Sequence, residues 1–112
     1  MKITTEERAG VLVVHTEGRL DAITAGEFEK EVSTLIQKSK QNALLDFEKL
    51  DYISSAGLRA ILILAKEMKV KENVFAICSL NESIKEVFGI SGFDSIITLY
   101  QSVDEGLASM KG

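Results

Sequence analysis

Residues 43–69, ALLDFEKLDYISSAGLRAILILAKEMK, decide the reading of this chain. Ala43 to Phe47 is an apolar run of strand length, closed by charged residues, and reads as a buried strand. A short turn follows. Ile53-Ser54-Ser55-Ala56-Gly57-Leu58 then opens a helix, expected from about Ser55 to Lys69, with Leu58, Ile61, Leu62, Ala65 and Met68 as its core stripe. Strand, turn and helix in this order make half of a crossover unit, which calls for parallel strands on either side.

Working outward, the neighbouring segments supply the rest of such a sheet. Lys2 to Glu7 reads as an edge strand, Ala9-Gly10 as a turn, and Val11 to Thr16 as a second strand, so the chain opens on a hairpin. Gly18-Arg19-Leu20-Asp21 is expected to leave the sheet. Thr24-Ala25-Gly26-Glu27 has the spacing of a capping box, and Phe28, Val32, Leu35 and Ile36 fall on one face of the helix behind it. Lys38 and Lys40 suit its negative C-terminal end.

Toward the C-terminus, Val74 to Cys78 is a further strand. Ser79-Leu80-Asn81-Glu82 repeats the capping pattern before Ile84, Val87 and Phe88, with Gly89 as the stop. Ile96 to Leu99 is the last strand, and Ser102-Val103-Asp104-Glu105 caps a terminal helix whose Leu107 and Met110 can dock on the sheet. The expectation is one α/β domain over residues 1–112: an N-terminal β-hairpin, then alternating helices and strands. They build a mixed, mostly parallel sheet of about five strands with about four helices.

Composition narrows the function. The 13 basic and 17 acidic residues give a net charge of −4, and the lysines are scattered with no basic stripe, which disfavours nucleic acid. The longest apolar run, Ala60 to Ala65, is six residues, far short of a membrane span. With a polar, charged N-terminus and no secretory pattern, a cytoplasmic location is expected.

Catalysis lacks a constellation. His15 is the single histidine, on the strand face opposite Val14 and Thr16, and neither histidine nor cysteine is available to complete a metal site with it. Ser55, His15 and Asp46 make a triad only on paper, without a Gly-x-Ser-x-Gly elbow. Gly57 is isolated, so no phosphate-cradling loop is present. Cys78 ends a buried strand and reads as an inert core thiol. No catalytic residue, metal or cofactor is expected.

What remains is the serine pair. One hydroxyl at a helix start is a plain cap, worth roughly 1 kcal/mol. Two hydroxyls stand here, followed by Ala56-Gly57, small residues that leave room for another protein's backbone. Ser55, Arg59, Ile63 and Lys66 fall at helical spacing opposite the core stripe, as a docking stripe would. A phosphate adds about −1.5 to −2 charges at pH 7. A helix N-terminus accommodates that charge, and Arg59 at i+4 is placed to pair with it.

These segments together resemble STAS domains of the anti-sigma factor antagonist type. The matching pieces are Leu44-Leu45-Asp46-Phe47, Leu50-Asp51-Tyr52-Ile53 and Ser54-Ser55-Ala56-Gly57-Leu58, with Gly18-Arg19-Leu20-Asp21-Ala22 before them. Residues Val87 to Ile96 resemble the family's C-terminal stretch. The resemblance implies a switch. The unphosphorylated domain binds an anti-sigma factor that is a serine kinase, and a metal-dependent serine phosphatase reverses the kinase's action. The phosphorylated serine lies two residues before the motif glycine; with Gly57 in that place it is Ser55, and Ser54, standing where Asp is usual, is the secondary candidate. Asp21 and Ala22 are implied at the interface with Ser54, Ser55, Ala56, Gly57, Arg59 and Ile63. Two alternatives stand beside this reading. One is a non-phosphorylated, stand-alone STAS subunit of a transport or signalling assembly, the other a small nucleotide-binding module.

Overall fold

The computed structural model describes residues 1–110. Its elements run β1 (Lys2–Arg8), β2 (Val11–Leu20), α1 (Ala25–Ser39), β3 (Asn42–Asp46), β4 (Leu50–Ile53), α2 (Ser55–Val70), β5 (Phe75–Cys78), α3 (Glu82–Ser91), a 3-10 turn (Phe93–Ser95), β6 (Thr98–Tyr100) and α4 (Val103–Met110). The sheet is mixed, in the order β1-β2-β3-β5-β6, with β4 attached to β2. Among the described residues only β1 and β2 are antiparallel, and the other pairings are parallel.

The hairpin forms because Ala9 and Gly10 both take positive φ (53° and 76°), the geometry whose twist matches the flanking strands. β1 is an outer edge carrying Lys2, Glu6, Glu7 and Arg8. Behind it, Val11 to Val14 of β2 are all buried, because both faces of this strand are covered. Residues alternate between two cores. Leu12, Val14, Ala43, Leu45, Phe47 and Ile77 meet Phe28, Val32, Ile61, Leu64 and Met68 of α1 and α2. Val11, Val13, Leu44, Ala76 and Cys78 meet Leu107 and Met110 of α4.

The expected five strands are six. Leu50–Ile53, read as part of a turn, is a strand, and Gly18-Arg19-Leu20, expected to leave the sheet, is its partner. β2 pairs with β3 through Val11–His15, shifts register between Gly18 and Arg19, and then pairs with β4. Gly18 takes φ 117°, which accommodates the irregularity and lets its N–H donate to Lys49 O at 3.1 Å.

Helix ends also differ in detail. Thr24 makes no capping box: its hydroxyl accepts from Asp21 N and donates to Arg19 O, while Asp21 Oδ1 accepts from Ile23 N and Thr24 N. Asn81 caps α3 by accepting from Ile84 N at 2.8 Å. α3 runs through Gly89 and stops at Gly92, whose φ of 80° is the left-handed cap. Ser102 caps α4 as expected, accepting from Glu105 N at 3.1 Å. In α2 the buried stripe is Leu58, Ala60, Ile61, Leu64 and Met68, while Leu62 and Ala65 are only half-buried.

Candidate functional site

The parallel pairing of β4 with the far end of β2 sets Ile53-Ser54 beside Leu20-Asp21, so two connections leave the sheet together. Ser54 N donates to Leu20 O at 2.9 Å, tying the start of α2 to the end of β2. Ser54 has extended backbone, and its hydroxyl accepts from Gly57 N at 3.3 Å. Ser54 is therefore the cap, and Ser55 is free of that duty. Ser55 is exposed at the first helical position, where backbone N–H groups have no intrahelical acceptor and the dipole is positive.

Ser55, Ala56, Arg59 and Ile63 line one depression of about 620 Å³ between the starts of α1 and α2, opposite Gly26 and Glu29. Ile63 is 40% exposed. Arg59 is exposed, and among the described residues it forms no ion pair. Ala22 is exposed. Asp21 is half-buried, its carboxyl held below the ordinary range by the N–H groups of Thr24 and Ile23. Gly57, expected on the partner-facing side, is buried instead. A Cβ there would lie 2.8 Å from Ile53 Cγ1, Leu20 Cγ and Leu20 O, so this glycine serves the close packing of α2 on the ends of β2 and β4.

Three neighbours escaped sequence reasoning. Ile23, in the turn after β2, is 89% exposed. Tyr52 is 42% exposed, and the Arg19 guanidinium lies 4.3 Å above its ring. The Arg19–Tyr52 pair exists because the two residues are register partners of β2 and β4, a pairing invisible once β4 is taken as a turn. Ile23 left a signal: a large apolar residue inside a turn beside Asp21-Ala22.

Losing the Ser54 cap leaves Gly57 N without its side-chain acceptor. Ser54→Ala is expected to lower stability by about 1 kcal/mol. Ser54→Asp keeps an acceptor and adds a charge favourable to the dipole, so its urea midpoint should equal or exceed that of the natural protein. Equal midpoints for Ser54→Ala and the natural chain would remove the hydroxyl from this role.

His15 and Asp46 come together without Ser55. His15 Nδ1 lies 2.6 Å from Asp46 Oδ2, and Nε2 lies 3.0 Å from Glu6 Oε1. The pair lines a cleft of about 390 Å³ with Thr4, Lys2 and Lys49, whereas Ser55 lines the other depression, so no triad is formed. Cys78 donates to Asp46 Oδ1 across 3.8 Å, and its thiol is pushed up to about 12, chiefly by burial. It is an inert core thiol at neutral pH.

Burial opposes a charge on His15, but the hydrogen bonds and charges of Glu6 and Asp46 outweigh it and raise the imidazole above its ordinary 6.5. The folded chain then holds this proton more tightly than the unfolded one, so stability falls with rising pH across the range where the folded state holds the excess proton. The contribution is complete below about pH 6.5 and disappears as pH rises through the raised folded value. Urea midpoints compared at about pH 6 and about pH 9 should therefore drop for the natural protein, and drop less for His15→Gln. Parallel pH profiles for the two would refute the assignment.

A mixed sheet with helices on both faces, and an exposed hydroxyl at a crossover helix start, define a class of small α/β domain. A model of the STAS domain family matches residues 2–106, and the chain belongs to that family. It is 35% identical over 111 residues to the candidate anti-sigma factor antagonist BtrV of Bordetella bronchiseptica, covering 99% of this chain and 96% of that one. A solved structure of a candidate anti-sigma factor antagonist from Thermotoga maritima superposes with a TM-score of 0.90 at 20% identity, over 98% of this chain and 95% of that one. The anti-sigma factor antagonist SpoIIAA of Bacillus is similar in both its unphosphorylated form (TM-score 0.71, 17% identity, 96% of each chain) and its phosphorylated form (0.72, 19%, 96% of this chain and 98% of that one). Among the described residues, no helix is long and apolar enough to cross a membrane.

Proposed function

We infer that this protein is a cytoplasmic, non-catalytic anti-sigma factor antagonist. In this reading the unphosphorylated form binds an anti-sigma factor that is a serine kinase, which frees the sigma factor. Phosphorylation at Ser55 ends the interaction, and a metal-dependent serine phosphatase restores it. The names of its relatives support the anti-sigma partner. The single observation that carries the switch is the division of labour at the start of α2: Ser54 caps the helix, so the exposed Ser55 hydroxyl can be modified without cost to the cap.

Chemistry supports the same division. A phosphate on Ser55 meets the positive end of α2, with Arg59 lining the same depression as a counter-charge. Asp21 and Ala22 follow Leu20, whose carbonyl accepts from Ser54 N, which supports counting them in the same interface, and Ser54 remains the secondary phosphate acceptor. Incubation with ATP and any anti-sigma factor serine kinase encoded beside its gene, followed by mass spectrometry, tests the reading. Phosphate on Ser55, and its loss in Ser55→Ala, is the expected result. Tight binding to the kinase with no phosphate on either serine would favour a constitutive STAS subunit instead.

A further inference from the structure

Leu62 and Ala65 have the periodicity of core residues, yet the structure leaves them half-buried. They floor an open groove of about 540 Å³ between the C-terminal half of α2 and the segment leading into β6, with Phe75 beneath and Ile96 on the far rim. Ile96 is 61% exposed. Single exposed apolar residues are ordinary, but a contiguous set lining a concavity marks an interaction surface.

The groove's charge is one-sided. Lys66 and Lys69, one helical turn apart, line it on the α2 side, and no acidic side chain lines it among the described residues. α2 contains one acid, Glu67, and its carboxylate faces α1, accepting from the Ser33 hydroxyl at 2.9 and 3.0 Å and from Gln37 Nε2 at 3.1 Å. A chain of net charge −4 thus gathers a basic rim around an apolar trough.

We propose that this groove docks an acidic amphipathic helical segment of a partner protein, with the apolar stripe on Leu62, Ala65, Phe75 and Ile96 and its acids against Lys66 and Lys69. The trough is of the size that takes two or three apolar anchors at i, i+3 and i+4. A two-fold contact centred on this groove would bring the Lys66 and Lys69 rims of both copies together, which like charge opposes. A membrane surface is recognised by larger basic clusters, of about four to eight lysines or arginines. Charge complementarity therefore selects the acidic segment.

The test is an amide NMR titration of the isotopically labelled full chain with a synthetic helical peptide. The peptide carries leucines at i, i+3, i+4 and i+7 and glutamates elsewhere. The expected result is shifts concentrated at Leu62, Ala65, Phe75 and Ile96. Affinity should fall about tenfold or more in the Lys66→Glu/Lys69→Glu double variant, and weaken with added salt. These lysines are exposed, and an unchanged amide spectrum outside the groove verifies that the variant folds. Four results would overturn the proposal: no shifts at about millimolar peptide, equal affinity for a scrambled or lysine-for-glutamate peptide, the same amides moving on concentrating the protein alone, or their moving with anionic vesicles and not with peptide. Ser55→Ala should bind the peptide like the natural chain, so failure here leaves the Ser55 reading standing, and the reverse also holds.

Discussion

Ser55→Asp is expected to bind the anti-sigma partner about a hundredfold more weakly than the natural protein while unfolding at nearly the same urea concentration. The two halves of this expectation come from opposite sides of one surface. Within the domain, the new carboxylate sits at the first turn of α2, where it meets free N–H groups and the positive dipole end, and Ser54 goes on accepting from Gly57 N. Stability should change by less than about 1 kcal/mol. On the partner's side, a contact fitted to a small neutral hydroxyl meets a charge that the partner does not pair and that loses hydration on binding. Breaking complementarity of that kind costs about 3 kcal/mol. Calorimetric titration against the anti-sigma partner reads the first half and urea unfolding the second. Ser55→Ala, which removes one oxygen, should keep affinity within a few-fold and accept no phosphate. An Asp variant that binds as tightly as the natural chain would end the case for a charge switch.

Gly57→Ala should produce the largest loss of stability, even though alanine is the better helix former by about 1 kcal/mol. The added methyl would stand 2.8 Å from two side-chain carbons and from Leu20 O. The side chains can rotate, but Leu20 O already accepts from Ser54 N, so its retreat breaks the tie that orients α2. Overpacking of this sort costs about 2 kcal/mol net, or roughly 10 °C in melting temperature for a chain of this size. Thermal and urea unfolding check it. Because the displaced element is the start of α2, affinity for the anti-sigma partner should fall as well, with no charge introduced. A variant as stable as the natural protein would mean that α2 can move away from β2 freely.

Features fixed by local chemistry were legible in the sequence. The alternation of strand and helix, the Ala9-Gly10 hairpin, the Ser102 cap and the start of α2 at Ser55 all depend on residues within a few positions of one another. The capping motif at Thr24 misled because Asp21, three residues earlier, captures the N–H groups and the Thr24 hydroxyl turns back to Arg19 O. β4 escaped because Leu50-Asp51-Tyr52-Ile53 does not alternate: its ends are buried and its middle is exposed, and its pairing partner is some thirty residues away. With β4 went the Arg19–Tyr52 stack. Leu62 and Ala65 are apolar at helical spacing, which does not distinguish a core position from the floor of a groove. The serine pair was legible as a cap plus a spare hydroxyl, and geometry assigned the cap to Ser54.

The two margins of the sheet are unlike each other, and each resists extension in its own way. A foreign strand laid along β1 would have to line up with Lys2, Glu6, Glu7 and Arg8, a mixed row of charges that tolerates few registers. At the opposite margin β6 offers three residues, too few to template another chain. Neither margin thus offers an incoming strand a long, uncharged template, which disfavours edge-to-edge growth between copies of the chain.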